Sequence, residues 1–244
     1  MTVCTPDLKE ERRLRKEGHE WVAGLDEVGR GAWAGPLTIG VAVVRPRVQL
    51  RSMPAWLRDS KQLSEARRED IFEAVGAWCS TWSVAHATAA ECDEWGMSEA
   101  WRTAARRALA GLAIEPDALI IDGPVDLLRN SDEPFPCVAR PIIDGDAKCA
   151  SVAAASVLAK VMRDRMMRDE AVHFPGYDFE LNKGYPSPLH KAALRGYGPT
   201  AIHRRSWVFM QDLPWAGSPP PLRVPKAGAA GRTNVCPYPT LFSD

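Results

Sequence analysis

Apolar and polar positions along the chain follow two periods, and their boundaries mark out the elements. Residues 21–44 (WVAGLDEVGRGAWAGPLTIGVAVV) hold two apolar runs parted by a Gly-rich turn, the pattern of two neighbouring strands. Residues 45–58, with Pro46 and Pro54, read as a loop. Ser64 is placed to cap a helix over residues 65–79, with Glu65 in its first turn. Residues 80–88 read as a strand with Trp82, Val84 and His86 on one face, and Ser98 as the cap of a helix ending near Gly111. ALIID at 118–122 is a short strand closed by an aspartate and broken by Gly123-Pro124, and a further strand fits near 137–143. The Ala-rich segment 149–167 has high helix propensity. Strands first, then alternating strands and helices, predict a mixed-sheet α/β domain.

The ends differ from this middle. Residues 1–20 form a charged lead-in, with a short solvated helix expected over 8–20. Residues 21–212 carry the periodic elements, and 213–244 are rich in Pro, Gly and Ala, the composition of a flexible tail. At 244 residues the chain is long enough for a sizeable core, and 45% hydrophobic with 25% charged residues is ordinary for a globular protein. Net charge is zero, so no global field announces a polyanionic partner. The six cysteines include no C-x-x-C pair, which speaks against a disulfide framework or structural zinc and for reduced thiols. Neither His19 nor His86 has a partner at zinc-site spacing. The N-terminus lacks the apolar region of a signal peptide, and no run of about 18 apolar residues could span a bilayer. A cytoplasmic protein is expected.

Candidate chemistry lies where strands end. Asp26-Glu27 stands where an apolar run meets Gly29-Arg30-Gly31, Asp122 ends ALIID, and Asp146 follows a third apolar run with Asp144 just before it. Carboxylates at the end of a buried strand are costly unless solvated, paired or bound to cations. Converging on one sheet edge, they would make an oxygen-rich pocket suited to Mg²⁺ or Mn²⁺, and to two ions about 3.5–4 Å apart, an arrangement usual for phosphodiester hydrolysis. Periodicity alone does not show that the strands converge, and exposed turn acids account for Asp26-Glu27 equally well.

These residues resemble a known family. GLDEVGRGAWAGP (24–36) is similar to the opening of type 2 ribonucleases H, and DSKQLSEARRE (59–69), IIDGP (120–124), GDAKCASVAAASVLAKVMRDR (145–165), KGYPSPLH (183–190) and HRRSW (203–207) follow in the family's order. The resemblance implies a ribonuclease H-like fold: a five-stranded mixed sheet flanked by helices, with a helical C-terminal part. It implies that Asp26, Glu27, Asp122 and Asp146 bind divalent metal, Mn²⁺ or Mg²⁺, and carry catalysis. Cleavage would fall on the 5′ side of ribonucleotides in RNA–DNA hybrids or duplex DNA, leaving a 3′-hydroxyl and a 5′-phosphate. One departure stands out: Asp144 occupies a position where the family usually has lysine, which makes it a rival to Asp146. The spacing of Asp146 to Ser151 and the Ala-rich segment favours Asp146. The sister ribonucleases HIII usually carry an extra N-terminal domain and a glutamate as fourth acid, so type HII fits better. A non-catalytic hybrid-binding protein is the rival from another class.

Reading RNA against DNA requires contact with the 2′-hydroxyl. Gly29-Arg30-Gly31 would let backbone approach a nucleotide, since glycine has no Cβ, though a plain strand-connecting turn also fits. By resemblance the tripeptide contacts the 2′-hydroxyl, and Tyr185 stacks on the deoxyribose just 3′ of the ribonucleotide; a structural tyrosine is the alternative. Residues 181–205 hold Lys183, Lys191, Arg195, Arg204 and Arg205 and no acid. That run fits phosphate-backbone contact or a solvated helix face. Lys61 is a further phosphate candidate, and Arg163-Asp164 would support the site through ion pairs. Gln211-Asp212-Leu213-Pro214-Trp215 faintly suggests a sliding-clamp peptide, and the chain is expected to act as a monomer.

Overall fold

A computed structural model describes residues 5–46, 50–126, 128, 135 and 137–213. Two apolar runs of period two become strands β1 (Val22–Val28) and β2 (Leu37–Val44), antiparallel, with Ala23 opposite Val43 and Val28 opposite Thr38. β3 (Cys79–Ala87) adds antiparallel to β2. On the other side β4 (Ala118–Asp122) pairs parallel with β1, and β5 (Val138–Ile142) parallel with β4. The sheet order is β3-β2-β1-β4-β5, the five-stranded mixed sheet expected.

Each strand sends alternate side chains to opposite faces. Ala23, Leu25, Ile39, Val41, Leu119 and Ile121 pack on α4 (Met97–Ala110) through Trp101, Ala104, Ala105 and Ala108. The opposite face carries α1 (Lys9–Lys16), α2 (Glu65–Trp78) and α6 (Ala150–His173). α6 runs six residues beyond the expected 167 and is buried without interruption from Ala150 to Ala159. Two glycines let it approach the sheet. A Cβ on Gly24 would lie 2.2 Å from Ser151 C and Val152 N, and one on Gly40 2.5 Å from Ala155 O.

Three expectations need correction. The lead-in helix is not simply solvated: Leu8 and Leu14 are buried, and Glu11 reaches inward to accept hydrogen bonds from Ser151 N at 2.9 Å and Ser151 Oγ at 2.7 Å. Ser98 caps nothing. An extra helix, α3 (Ala89–Trp95), starts at a capping box in which Thr88 and Glu91 satisfy each other's backbone N–H, and Gly96 at φ +77° separates it from α4. The proposed tail boundary cuts into the fold, because Leu213 packs with Met167, Phe179 and Leu194; residues 214–244 lie outside the described residues.

The C-terminal part is helical: α7 (Phe179–Asn182) and α8 (Pro188–Tyr197) follow α6, and α5 (Gly145–Lys148) precedes it. Among the described residues Cys79, Cys92, Cys137 and Cys149 are free thiols, and no helix is long and apolar enough to cross a membrane. The close approach of α6 at Gly24 generates a test. Gly24→Ala forces backbone against backbone and lowers stability by about 2–3 kcal/mol, read as a shift in the urea midpoint at unchanged slope; an unchanged midpoint would mean the helix does not press on β1.

Candidate active site

The β1–β4 register pairs Leu25 with Ile121, so one step further along the parallel strands brings Asp26 beside Asp122. Both belong to the alternate set with Gly24 and Ile120 that faces α6. Asp26 is 4% exposed; its Oδ1 accepts from Glu27 N at 2.7 Å, and Ser156 of α6 hydrogen-bonds its carboxylate. Asp122 Oδ1 accepts from Gly145 N at 2.8 Å, tying β4 to the turn that starts α5. Asp146, in the first turn of α5 and also buried, accepts a hydrogen bond from Lys61 Nζ at 2.9 Å. Lys61 sits in a short 3-10 turn (Ser60–Gln62) capped by Asp59, which accepts from Lys61 N at 2.9 Å.

Burial pushes Asp26 up to about 7, and the neighbouring charges of Asp122 and Asp146 add to the rise against the opposing effects of Ser156 and Lys61. Asp122 is raised by burial and by Asp146. Burial alone would lower the Lys61 ammonium, but its bond to Asp146 and the fields of Asp26 and Asp59 hold it above its ordinary value. Asp59 is itself raised by burial. Asp26, Asp122 and Asp146 thus crowd one another, Asp59 bears on Asp146, and the Lys61 ammonium lies among the four.

Glu27 does not join them. As the next residue on β1 it faces the other way: Oε1 accepts from Arg30 Nη1 at 3.1 Å, and Oε2 from the indole N–H of Trp101 on α4. Asp144 is also apart, at φ +56°, with its side chain 71% exposed and 3.7 Å from Lys148. Among the described residues no three His, Cys, Asp or Glu side chains stand close enough to grip an ion as they are. The donor set nevertheless fits a hard divalent cation, since it offers buried carboxylate oxygens whose mutual repulsion a cation would relieve.

Gly29-Arg30-Gly31 and Tyr185 lie together. Gly29, at φ +84°, donates from its N–H to Tyr185 Oη at 3.1 Å, and a Cβ on Gly31 would stand 4.0 Å from the Tyr185 ring. A Cβ on Gly29 would lie 2.2 Å from Arg163 Nε and 2.7 Å from Pro36 O, so only glycine fits there. Arg30 and Arg205 are exposed. Arg204 and Lys183, expected at the duplex, are buried instead. Arg204 donates to the carbonyls of Arg30 at 2.8 Å, Gly29 at 2.6 Å and Gly35 at 3.2 Å, bracing the glycine loop from behind. Lys183 gives its ammonium to Glu180 O and pairs with Glu65 at 3.2 Å.

Sequence reasoning missed Ser156, Asp59 and Trp101. It assigned Arg163-Asp164 to ion pairs, but among the described residues only Asp164 makes them, with Arg68 at 3.2 Å and with Lys160 at 2.5 Å. Arg163 donates to the carbonyls of Pro36, Lys183 and Ala34 at 3.0, 2.9 and 3.2 Å.

The same architecture recurs in solved structures. The ribonuclease H2 of Pyrococcus horikoshii OT3 is 31% identical, with a TM-score of 0.67 over 79% of this chain and 96% of that one. The ribonuclease HII of Archaeoglobus fulgidus, solved as a PCNA complex, is 25% identical with a TM-score of 0.67 over the same shares. Bst ribonuclease HIII in complex with Mn²⁺, at 19% identity and a TM-score of 0.63 over 78% of this chain and 68% of that one, shares the fold. The fold is therefore that of the ribonucleases H of type 2. The family model described as Ribonuclease HII matches residues 23–210, and a ribonuclease HII of Streptomyces avermitilis is 46% identical over 205 residues, 84% of each chain. The chain belongs to the ribonuclease HII family and is an endonuclease with that family's activity, which sets aside the HIII alternative.

The crowding at Asp26 has a consequence for stability. The folded carboxyl keeps its proton up to about 7, whereas an unfolded one releases it near 3.8. The folded protein binds more protons than the unfolded one in that window, so without metal its stability falls as pH rises from 3.8 through about 7. Asp26→Asn removes this loss. In EDTA the variant's stability relative to wild type climbs across the window by on the order of 4 kcal/mol, measured by urea unfolding at several pH values. A pH-independent difference would show that Asp26 ionises freely.

Proposed function

We propose that this protein hydrolyses the phosphodiester bond on the 5′ side of a ribonucleotide, in RNA–DNA hybrids or within duplex DNA, leaving a 3′-hydroxyl and a 5′-phosphate. The observation that carries the reading is the mutually repelling set of buried Asp26 and Asp146 with half-buried Asp122 on adjoining elements. These three would hold Mg²⁺ or Mn²⁺, and Mn²⁺ is bound by the Bst ribonuclease HIII. When bound, the cation supplies Lewis acidity that activates water and offsets charge on the phosphate. Glu27, the fourth acid by family likeness, would take part by leaving Trp101 and Arg30.

The chain's own residues would do the rest. Lys61 and the exposed Arg30 and Arg205 would meet phosphate oxygens, positioning the duplex without reading sequence. The backbone of Gly29-Arg30-Gly31 would approach the 2′-hydroxyl, which both donates and accepts. Tyr185, beside that loop, would pack on the sugar of the next nucleotide, where a 2′-hydroxyl would crowd the ring. Arg204 and Lys183 belong to the scaffold of this reading. A sliding clamp, as in the Archaeoglobus complex, has little support in this chain, because Leu213 of the candidate peptide packs on the protein's own core.

Cleavage of a duplex carrying one ribonucleotide, in Mg²⁺ or Mn²⁺ and then in EDTA, tests the proposal. We expect metal-dependent product with a 5′-phosphate at the ribonucleotide. Asp26→Asn or Asp122→Asn should lower the rate by more than about 100-fold in a folded protein. Asp146→Asn should be far more damaging than Asp144→Asn, and the reverse ranking would mean that the wrong acid is assigned. Binding without metal-dependent product would favour a non-catalytic hybrid binder.

A further inference from the structure

Two histidines that the catalytic reading does not use lie buried against each other. His190 of α8 and His203 are 0% and 2% exposed, with Nε2 to Nε2 at 2.9 Å. Tyr177 and Phe179 pack on both rings, and Trp33 lies beside His190. Neither ring touches an acid among the groups that bond them.

The outer hydrogen bonds fix where the protons are. Thr200 N–H donates to His203 Nδ1 at 2.9 Å; a backbone amide only donates, so Nδ1 presents a lone pair. The Thr200 hydroxyl reaches the same nitrogen at 2.8 Å. A neutral His203 then carries its proton on Nε2 and donates it to His190 Nε2. That leaves His190 with its proton on Nδ1, which donates to Tyr185 O at 2.9 Å. Each neutral ring has one donor and one acceptor, and each finds its complement. An added proton on either ring would set N–H against N–H. Burial holds both rings below the ordinary histidine range, His203 at about 3, with Arg205 nearby opposing a further charge.

The chain of bonds joins two segments that flank the glycine loop. Around His203, Arg204 N donates to Trp33 O at 2.9 Å and Gly35 N to Ile202 O at 2.9 Å, so 202–204 runs beside 33–35. At the other end lies Tyr185, whose hydroxyl accepts from Gly29 N. Trp33 and Ala34 both donate to Gly184 O, one residue before that tyrosine. We propose that His190 and His203 form a neutral, single-tautomer pair that fixes the distance between Tyr185 and the Gly29–Gly31 loop, and are therefore positioning residues for reading the sugar just 3′ of the ribonucleotide. This rests on the reading of Tyr185 as a sugar contact.

Two measurements on the whole protein test it. Long-range ¹⁵N–¹H NMR at neutral pH should show His203 protonated on Nε2 and His190 on Nδ1; an imidazolium, or the opposite tautomer at either ring, overturns the pair. The second compares His203→Phe, which fills the space without the bond, with His203→Gln, whose amide can still donate toward His190. His203→Phe should speed hydrogen exchange at the Gly29 amide and raise KM for a single-ribonucleotide duplex about tenfold with a smaller change in kcat. It should also erode the preference for deoxyribose over ribose just 3′ of the ribonucleotide. His203→Gln should recover most of each effect. A folded His203→Phe with Gly29 exchange and KM unmoved overturns the proposal; should it not fold, the tautomers and the Gln variant decide. Tyr185→Ala separates the two readings: intact sugar preference there would remove Tyr185 from recognition, whereas Gly29 exchange in His203→Phe, where the Tyr185 hydroxyl is kept, still reports on the histidines.

Discussion

Parallel pairing of β1 with β4 puts two aspartates side by side at neighbouring strand ends, and α6 then closes over the face they share. The helix comes so near because Gly24 and Gly40 present no Cβ to its backbone. Closeness has an electrostatic cost: Asp26 is almost out of water, and each further carboxylate makes ionising it harder. The fold meets that cost in part with Ser156 from α6 and Lys61 from the turn before α2. What remains is an affinity for positive charge held in place by sheet register, and no flexible loop has to assemble it.

Register alone would not aim the glycine loop, and here buried guanidinium groups act. Arg163 and Arg204 find backbone carbonyls where carboxylates might have been expected, three each. The planar fork of arginine suits that task, because its donors diverge at fixed angles and can hold several strands of chain at once. Between them they bind the carbonyls of Gly29, Arg30, Ala34, Gly35, Pro36 and Lys183, so the loop's outer surface is set by contacts on its inner one. Burial pushes Arg163 down to about 10, still charged at neutral pH.

The strands and three of the acids were legible because they depend on local pattern: period-two runs, a terminal aspartate, a Gly-Pro break. Thr88-x-x-Glu91 is equally legible as a capping box, and it starts a helix where Ser98 does not. The outward turn of Glu27 follows from strand alternation once Asp26 is known to face α6, yet the sequence does not say which face that is. Burial of Arg204 and Lys183 was not legible. A run of basic residues without acids looks like a surface that meets phosphate, and only tertiary contacts turn two of its members inward. Glu11 is the same case in the lead-in, where the partner, Ser151, lies 140 positions away.

The departure at Asp144 becomes intelligible in the same terms. Its backbone sits in the left-handed region, which aspartate tolerates better than most residues because its short side chain can satisfy nearby polar groups. The carboxylate projects into water toward Lys148, and its charge is largely screened there. Two residues on, Asp146 is buried and bound to Lys61. The same charge therefore acts very differently at the two positions: exchanging lysine for aspartate at 144 alters a solvated rim, whereas the acid at 146 faces neighbours across a medium that screens little. Solvent access, more than position along the chain, sets the two acids apart.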